Sequence, residues 1–264
     1  MQYHEFGTAN SRTLLFFQGS ASHWSWYLES IELLAQNFHV IVPAIDGHEP
    51  KEHTNFISIE KTVEDVTQYL IKNGYMELYA VYGLSFGGGM VLRMLTEQRI
   101  NIQKAIVDAG TAPYQMLYFL TRIVLFRDYW AVRILRSNVH LVKLVFDPKR
   151  WTPKGKDEET EYDSLMCFLK SMSKTTLKNV FDSANNYEMP KIIPPMDTLI
   201  EFWYGSCEKK SRARDTRYVR RKFPNAVIRE IPQMDHGELV IMHPQQFLAQ
   251  AERFLEGGNC VEHS

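Results

Sequence analysis

The sequence predicts an α/β fold with a mainly parallel sheet flanked by helices, and three observations lead to this prediction. Short apolar runs alternate with amphipathic stretches through residues 1–110, a pattern typical of βαβ units in a parallel sheet. From residue 111 to residue 190 the pattern is helical and carries no strand signal. The alternation resumes after residue 190, so we expect the chain to return to the same sheet.

The first part of the chain contains four predicted strands and three predicted helices. The helix at Ser58–Asn73 has the clearest boundaries, because Ser58 suits an N-cap and Gly74 stands just beyond the end. The other elements are strands at Thr13–Phe17, His39–Val42, Leu78–Tyr82 and Lys104–Val107, and helices at Trp26–Gln36 and Gly87–Gln98.

The rest of the chain divides into a helical insertion and the end of the core. Helices are expected within the insertion at Tyr114–Phe126, Tyr129–Phe146 and Glu158–Ala184. After it come strands at Leu199–Tyr204 and Ala226–Ile231, and helices at Asp215–Lys222 and Pro244–Leu255. We therefore predict a core domain of residues 1–110 and 191–264, with residues 111–190 forming a helical cap, or lid, over the sheet edge.

Composition and charge exclude several classes of protein. Hydrophobic residues make up 45% of the 264 residues and charged residues 23%, which is ordinary for a globular protein. The 30 Lys and Arg nearly balance the 31 Asp and Glu, so nucleic acid is not expected as a partner. Three scattered cysteines without a CxxC spacing argue against a disulfide framework and against a zinc site.

No leader and no membrane span are expected in this chain. Residues 1–10 are polar and lack the basic region and apolar core of a signal peptide. The longest apolar run, Met116–Phe126, is interrupted by Arg122 and is too short to span a bilayer. The expectation is therefore a cytoplasmic protein with a small molecule as its partner, and the oligomeric state stays open.

The segment Gly83–Gly87, GLSFG, matches the pattern G-x-S-x-G. It follows an apolar strand and opens a helical pattern, the context in which a serine stands on a tight strand-to-helix turn. Free N–H groups at the start of that helix favour negative charge beside the serine. The pattern predicts Ser85 as a nucleophile, and the alternative is an ordinary glycine-rich turn before a helix.

With this motif the chain resembles the α/β-hydrolase fold superfamily, of the type with a helical cap, from about Thr13 to Leu255. The turn Gln18–Ser20 resembles the His-Gly-x turn that supplies part of the oxyanion hole, with glutamine in place of the usual histidine. Trp24 and Trp26 resemble the aromatic residue that follows that turn.

A second segment carries the same resemblance. Val42–Pro43 and Asp46–His48 are similar to the V-P-D-x-x-G-H-G segment of the superfamily, with Ala44 where aspartate is usual. The resemblance implies a triad in the chain order serine, acid, histidine. It also implies an oxyanion hole built from the backbone N–H groups of Phe86 and Ser20.

The resemblance implies His236 as the general base, because the segment MDHG follows the last predicted strand. The alternative is an ordinary loop histidine. The acid position falls on Glu208, in the segment Gly205–Glu208 after the preceding strand, where relatives usually have aspartate. Asp108 is a rival acid, because some capped relatives place the acid after the strand that precedes the cap. Either carboxylate has the alternative of a solvated residue at a strand end.

Substrate contacts are expected from Trp24, Tyr114 and Tyr118, in an apolar pocket for an acyl group, although helix packing is an alternative use of such residues. Basic residues also recur in the cap at near-helical spacing, and they suit an anionic substrate, a membrane surface or a solvated helix face. These are Arg122, Arg127, Arg133, Arg136 and Lys143. The basic stretch 211–222 is expected to form a surface helix.

The predicted function is a serine hydrolase that cleaves a carboxylester or thioester by acyl transfer, without a metal or organic cofactor. Two other readings of the residues stay open. One is a small-molecule binding protein that keeps the fold without turnover, and the other is a lactonase or a hydrolase of carbon–carbon bonds.

Overall fold

The structure is a computed structural model, and it describes residues 1–113, 117–153 and 155–257, without the side chain of Asn185. The described residues contain a seven-stranded sheet with the strand order β1-β3-β2-β4-β5-β6-β7. β1 pairs with β3 in the antiparallel direction and all other pairs are parallel. The strands are β1 Gln2–Phe6, β2 Thr13–Phe17, β3 His39–Ala44, β4 Glu77–Leu84, β5 Asn101–Asp108, β6 Leu199–Gly205 and β7 Val227–Ile231.

Helices follow nearly every strand, as the alternation predicts. They are α1 Leu28–Leu34, α2 Ile59–Lys72, α3 Phe86–Glu97, α4 Tyr118–Leu135, α5 Val139–Val145, α6 Pro148–Trp151, α7 Glu158–Ser171, α8 Lys174–Asn186, α9 Lys209–Lys222, α10 Glu238–Met242 and α11 Pro244–Glu256. This arrangement confirms the predicted α/β class with a mainly parallel sheet and flanking helices.

The sheet buries both faces, because successive side chains of a strand point to opposite sides. On β2, Leu15 and Phe17 join a cluster that contains residues of α2, α3 and α9. Leu14 and Phe16 join the opposite cluster, which contains residues of α1, α10 and α11. Nearly continuous apolar strands are therefore needed, since neither face meets water.

Local signals fixed the ends of several elements. The Ser58 hydroxyl accepts a hydrogen bond from Lys61 N–H at the start of α2, which confirms the predicted N-cap. Gly74 follows the helix with a φ of 82°, a conformation that glycine adopts without strain. The prediction of one helix over Glu158–Ala184 is wrong in one respect. The segment forms two helices, α7 and α8, and Ser173 is the N-cap of the second.

Between β5 and β6 the structure has the helices α4 to α8 and a buried cluster of their own. Trp26 of the core packs against this cluster, with its ring 5.1 Å from that of Phe168. The hydroxyl groups of Thr176 and Ser183 on α8 accept hydrogen bonds from the backbone N–H groups of Phe56 and Ile59, respectively. These contacts join the insertion to the core, and its role as a lid stays a prediction.

Two further properties concern only the described residues. None of their helices is long and apolar enough to cross a bilayer. Cys167 and Cys207 are both free thiols, exposed to solvent, whereas Cys260 lies outside the described residues.

Candidate active site

Ser85 lies in a strained turn between β4 and α3. Its backbone has a φ of 54° and a ψ of −109°, a conformation that costs a residue other than glycine about 1–3 kcal/mol. Backbone hydrogen bonds hold the turn in place: Ser85 N–H donates to the Asp108 carbonyl at 2.7 Å, and its own carbonyl accepts from Gly89 and Thr111 at 3.1 Å. The strain is thus maintained by the ends of two strands and the first turn of a helix.

The two flanking glycines are required by close approaches of the backbone. A Cβ atom on Gly83 would lie 2.4 Å from the Gly87 carbonyl oxygen, and one on Gly87 would lie 2.5 Å from the Gln18 carbonyl oxygen. Neither approach leaves room for a methyl group. The G-x-S-x-G spacing is therefore a steric condition for bringing β4, α3 and the end of β2 together around Ser85.

His236 forms a short contact with Glu208. Its Nδ1 lies 2.7 Å from Oε2 of Glu208, and the other carboxylate oxygen accepts from Gly205 N–H at 3.2 Å. Glu208 is buried, whereas the His236 side chain is 41% exposed. With the proton on Nδ1, the imidazole donates to Glu208 and leaves Nε2 as an acceptor.

The segments that carry Ser85 and His236 pack against each other. A Cβ atom on Gly237, the residue after His236, would lie 2.9 Å from a methyl carbon of Leu84, the residue before Ser85. A Cβ atom on Gly19 would lie 3.3 Å from the same methyl carbon. The elbow, the histidine segment and the turn after β2 therefore converge at the carboxyl edge of the sheet.

Asp108 lies at the end of β5 and has a different partner. Its Oδ2 accepts a hydrogen bond from the Tyr82 hydroxyl at 2.8 Å, and within the described residues this is the one hydrogen bond of its carboxyl group. Burial raises the pKa of Asp108 to about 6; the Tyr82 bond lowers this pKa, and the nearby Glu208 raises it. Of the two predicted acids, the structure brings Glu208 to His236 and places Asp108 against a tyrosine.

Arg212 of α9 contacts the same oxygen of Glu208 that faces His236. Its Nε lies 3.2 Å from Oε2 of Glu208, and its Nη1 lies 3.0 Å from Asp215. Nη1 also donates to the Ala109 carbonyl at 3.1 Å, and Asp215 accepts from Ala112 N–H at 3.0 Å. Burial raises the pKa of Asp215, while the Arg212 charge lowers it. The expectation of a plain surface helix is therefore wrong at Arg212 and Asp215, which turn inward.

The turn after β2 is braced by buried side chains. The Gln18 amide donates to the Ser22 carbonyl at 2.7 Å, and the Ser22 hydroxyl donates to the Gly19 carbonyl at 2.9 Å. The Tyr27 hydroxyl lies 2.7 Å from the Ser22 hydroxyl and accepts from Gly19 N–H at 3.2 Å. Burial raises the pKa of Tyr27 to about 12. The buried Gln18 thus braces the turn that contains Ser20.

The second expected oxyanion donor lies at the start of α3. The first intrahelical bond runs from Gly89 N–H to the Ser85 carbonyl, so the amides of Phe86, Gly87 and Gly88 precede the helical hydrogen bonds. The Gly87 backbone approaches the Gln18 carbonyl, which sets this amide group beside the turn after β2. The roles of Phe86 and Ser20 as oxyanion donors stay predictions.

The three expected substrate residues have different outcomes. Trp24 stacks on His4 with ring centroids 4.0 Å apart and lies near Phe6, so its ring packs against β1. Tyr118 is 78% exposed at the start of α4. Tyr114 lies outside the described residues. The substrate roles of these residues stay predictions, and the exposure of Tyr118 gives its role no support.

An ion pair that the sequence did not predict joins the insertion to the segment of His236. Arg150 of α6 donates from Nε to the buried Glu238 at 2.7 Å and from Nη2 to the Gln233 carbonyl at 2.7 Å. Glu238 in turn accepts from Asp235 N–H at 2.7 Å. The contact with Glu238 raises the pKa of Arg150 further above its ordinary value. This arrangement fixes the loop on both sides of His236.

Metal binding has no support in the part of the chain that the structure describes, because no group of three or more His, Cys, Asp or Glu side chains comes together there. The groups at this edge are suited to another chemistry. A strained serine, an imidazole held by a buried carboxylate and free amides at a helix start are the parts of nucleophilic acyl transfer.

Comparison with known proteins supports the fold. No protein-family model matches the chain. Among solved structures, it is similar to a protein from Desulfitobacterium hafniense described as an α/β-hydrolase family member, with a TM-score of 0.77 and 18% identity over 96% of this chain and 100% of the other. It is also similar to a structure from a study of carboxylesterases of Nitrososphaera gargenis, with a TM-score of 0.71 and 15% identity over 97% of this chain and 93% of the other. An acetylester hydrolase from Corynebacterium glutamicum is similar with a TM-score of 0.73 and 16% identity, over 97% of this chain and 89% of the other.

Proposed function

Since this chain has the fold of the α/β-hydrolase superfamily, we propose that it is a serine hydrolase that cleaves carboxylesters or thioesters by acyl transfer. The observation that carries the proposal is the 2.7 Å contact between His236 Nδ1 and Glu208 at the edge where the Ser85 turn lies. Many chemistries use this fold, so the proposal depends on these side chains and not on the fold.

In the proposed reaction His236 acts as the general base. Its Nε2 takes the proton of the Ser85 hydroxyl as the oxygen attacks the acyl carbon of the substrate. Glu208 accepts the Nδ1 proton, which selects the tautomer and stabilises the imidazolium that forms. His236 then gives the proton to the leaving alcohol or thiol, which departs and leaves an acyl group on Ser85.

Water completes the cycle. His236 activates a water molecule that attacks the acyl group, and Ser85 recovers its proton from the imidazolium. In both steps, negative charge develops on the former carbonyl oxygen. The N–H groups of Phe86 and Ser20 are proposed to stabilise this charge, and removal of one such donor typically costs about 3–4 kcal/mol of transition-state stabilisation.

Arg212 gives the Glu208 carboxylate a second partner. The guanidinium stands 3.2 Å from the oxygen that faces His236, so a cation holds the carboxylate in place beside the imidazole. This supports a glutamate, with its longer side chain, in the orienting role. The same arrangement would be of no use to a protein that only binds a ligand, which has no imidazolium to stabilise.

A panel of p-nitrophenyl esters and acyl-thioesters of graded chain length tests the proposal. We expect turnover of at least one substrate by the unaltered protein and background rates for Ser85→Ala. Ser11→Ala, which removes an exposed hydroxyl, serves as the matched control and should keep full activity. If Ser85→Ala turns the substrates over as fast as the unaltered protein, the proposal is wrong.

A further inference from the structure

The outer face of α4 carries a stripe of exposed apolar side chains. The stripe consists of Phe119, Ile123, Phe126, Trp130 and Ile134, which are between 42% and 67% exposed. Their spacing of four, three, four and four residues puts them on one side of the helix. Contiguous exposed apolar surface of this kind is unusual on a monomeric protein and marks a contact surface.

The other side of α4 already has its partners. Leu125 is the one residue of this helix in the buried class, and Tyr129 and Val132 pack against the cluster of the inserted helices. These three residues occupy the side that faces away from the stripe at 3.6 residues per turn. The stripe is therefore not needed to hold α4 to the protein.

Arginines border the stripe on both sides. Arg122 and Arg133 lie along one side and Arg127 along the other, by their positions on the helix. Arg127 pairs with Asp128 at 2.7 Å, the one acidic residue of α4. Arg133 lies over the Trp130 ring at 5.3 Å. A stripe with arginine on both borders is the pattern of a helix that lies in a membrane surface.

Beside the stripe, a groove of about 610 Å³ opens between α4 and α8. Its apolar wall includes Ile123 and Phe126 of the stripe, and its cations are Arg122, Lys174 and Lys178. In the part of the chain that the structure describes, none of the three cations forms an ion pair. Two further basic residues of the insertion are engaged elsewhere, because Arg136 donates to the Met172 carbonyl and Lys143 pairs with Glu158.

We propose that this surface, formed by the α4 stripe and the three cations of the groove, docks on a bilayer that contains anionic phospholipids. The stripe enters the boundary between headgroups and acyl chains, where Phe and Trp are favoured. Arg122, Lys174 and Lys178 meet the lipid phosphates. A second copy of the chain fits less well, because the arginines that border the stripe would face like charges. The inference is independent of the proposed hydrolase activity.

Vesicle sedimentation tests the proposal with the full chain. We expect binding to vesicles of phosphatidylcholine mixed with phosphatidylglycerol, much weaker binding to phosphatidylcholine alone, and no competition by inorganic phosphate. The combined change Arg122→Gln, Lys174→Gln and Lys178→Gln should weaken binding by about fivefold per cation, or about 100-fold in total. Its matched control replaces three exposed lysines elsewhere, Lys51, Lys72 and Lys210, by glutamine and should lose far less.

The apolar part of the surface has its own test. Replacing Phe119, Phe126 and Trp130 together by glutamine should reduce binding to the anionic vesicles by more than about tenfold. The matched control replaces exposed Ile57, Met76 and Ile192 by glutamine and should bind like the unaltered protein. All of these positions are on the surface, so circular dichroism should be unchanged.

Three results would overturn the proposal. The unaltered protein fails to bind the anionic vesicles, or the control variants lose as much binding as the test variants. The third is a dimer of the unaltered protein, seen by sedimentation without lipid, that is lost in the variant with Phe119, Phe126 and Trp130 replaced and kept in its control. This result would assign the surface to a second copy of the chain.

Discussion

The carboxylate of Glu208 lies 2.7 Å from Nδ1 of His236 and at the same time 3.2 Å from the Arg212 guanidinium. One oxygen of the buried carboxylate thus serves both contacts. The imidazole contacts a carboxylate that is itself held by a cation, whereas the carboxyl group of the rival acid, Asp108, accepts a hydrogen bond from Tyr82.

The first prediction distinguishes these acids. Glu208→Gln should lower kcat on the best ester substrate by about 10³–10⁴-fold, because an amide neither fixes the tautomer nor stabilises the imidazolium. Asp108→Asn should change kcat by less than about tenfold, since its carboxyl bonds to Tyr82. Steady-state kinetics of the two variants gives the answer, and a large loss in Asp108→Asn alone would reverse the assignment.

Asp108 gives a prediction about stability and pH. Its pKa is raised to about 6 from 3.8, so the folded protein holds this proton more tightly than the unfolded chain does. The resulting stability is complete below the unfolded pKa of 3.8 and is lost as pH rises through about 6. A shift of this size corresponds to about 3 kcal/mol.

Asp108→Asn should remove this dependence, because asparagine stays neutral and still accepts the Tyr82 hydrogen bond. Relative to the unaltered protein, the variant should gain up to about 3 kcal/mol in unfolding free energy between about pH 4 and pH 8. Urea unfolding at both pH values measures the difference. Asp163→Asn at an exposed position is the control, and an equal difference at both pH values for Asp108→Asn would refute the prediction.

Gly87, two residues after Ser85, gives a steric prediction. A Cβ atom on Gly87 would meet the carbonyl oxygens of Phe17 and Gln18 at 2.7 and 2.5 Å, and these backbone atoms have little freedom to move. Gly87→Ala should therefore destabilise the protein by about 1–3 kcal/mol and lower kcat by displacing the turn after β2. Thermal unfolding and kinetics measure the two effects.

Gly89→Ala is the matched control for this change. A Cβ atom on Gly89 would lie 3.2 Å from Thr111 Oγ1 and 3.3 Å from both Ile59 Cδ1 and the Thr111 carbonyl oxygen, so none of its approaches is as close as the 2.5 Å at Gly87. Alanine is also favoured over glycine within a helix by up to about 1 kcal/mol. Equal losses in the two variants would mean that the close approach at Gly87 is not what the motif protects.

The ion pair between the insertion and the histidine segment gives the fourth prediction. Arg150→Gln leaves the buried Glu238 carboxylate without its cation and frees the Gln233 carbonyl, so stability should fall by about 2 kcal/mol. The loop around His236 loosens, and kcat should fall with it. Lys149→Gln, on the same short helix, is the control and should have neither effect.

A double-mutant cycle checks the cause. If the pair acts as a unit, adding Glu238→Gln to Arg150→Gln should cost less than the sum of the two single changes. Full additivity would show that Arg150 and Glu238 stabilise the protein separately.

The sequence supported the elements whose signals are local. The helix α2 has a serine cap and a glycine at its end, and the Ser85 turn has its glycines at fixed spacing, so both could be predicted. The strand β1 was missed because three of the five residues of Gln2–Phe6 are polar, and the strand lies at the edge of the sheet with its residues exposed or half-buried. Its strand character comes from pairing with β3, where Gln2 lies opposite Ala44, and no local pattern reports such a pairing.

Parts of the candidate site depend on contacts between distant segments. Arg212 belongs to a stretch of basic residues, and only the positions of Glu208 and Asp215 around it explain its burial. Arg150 finds its partner Glu238 at a separation of 88 residues. Composition and spacing carry no information about such pairs, so the sequence indicated candidates for the reactive residues but not the side chains that hold them in place.

Labelling with a fluorophosphonate probe, followed by peptide mapping, tests the central claim most directly, because the probe reacts only with a serine that has been made nucleophilic. The folded protein should take up one probe on Ser85, while Ser85→Ala and the urea-unfolded protein should take up none. A folded protein that leaves Ser85 unlabelled, or a Ser85→Ala variant that is labelled to the same extent, would contradict the assignment of Ser85 as the nucleophile.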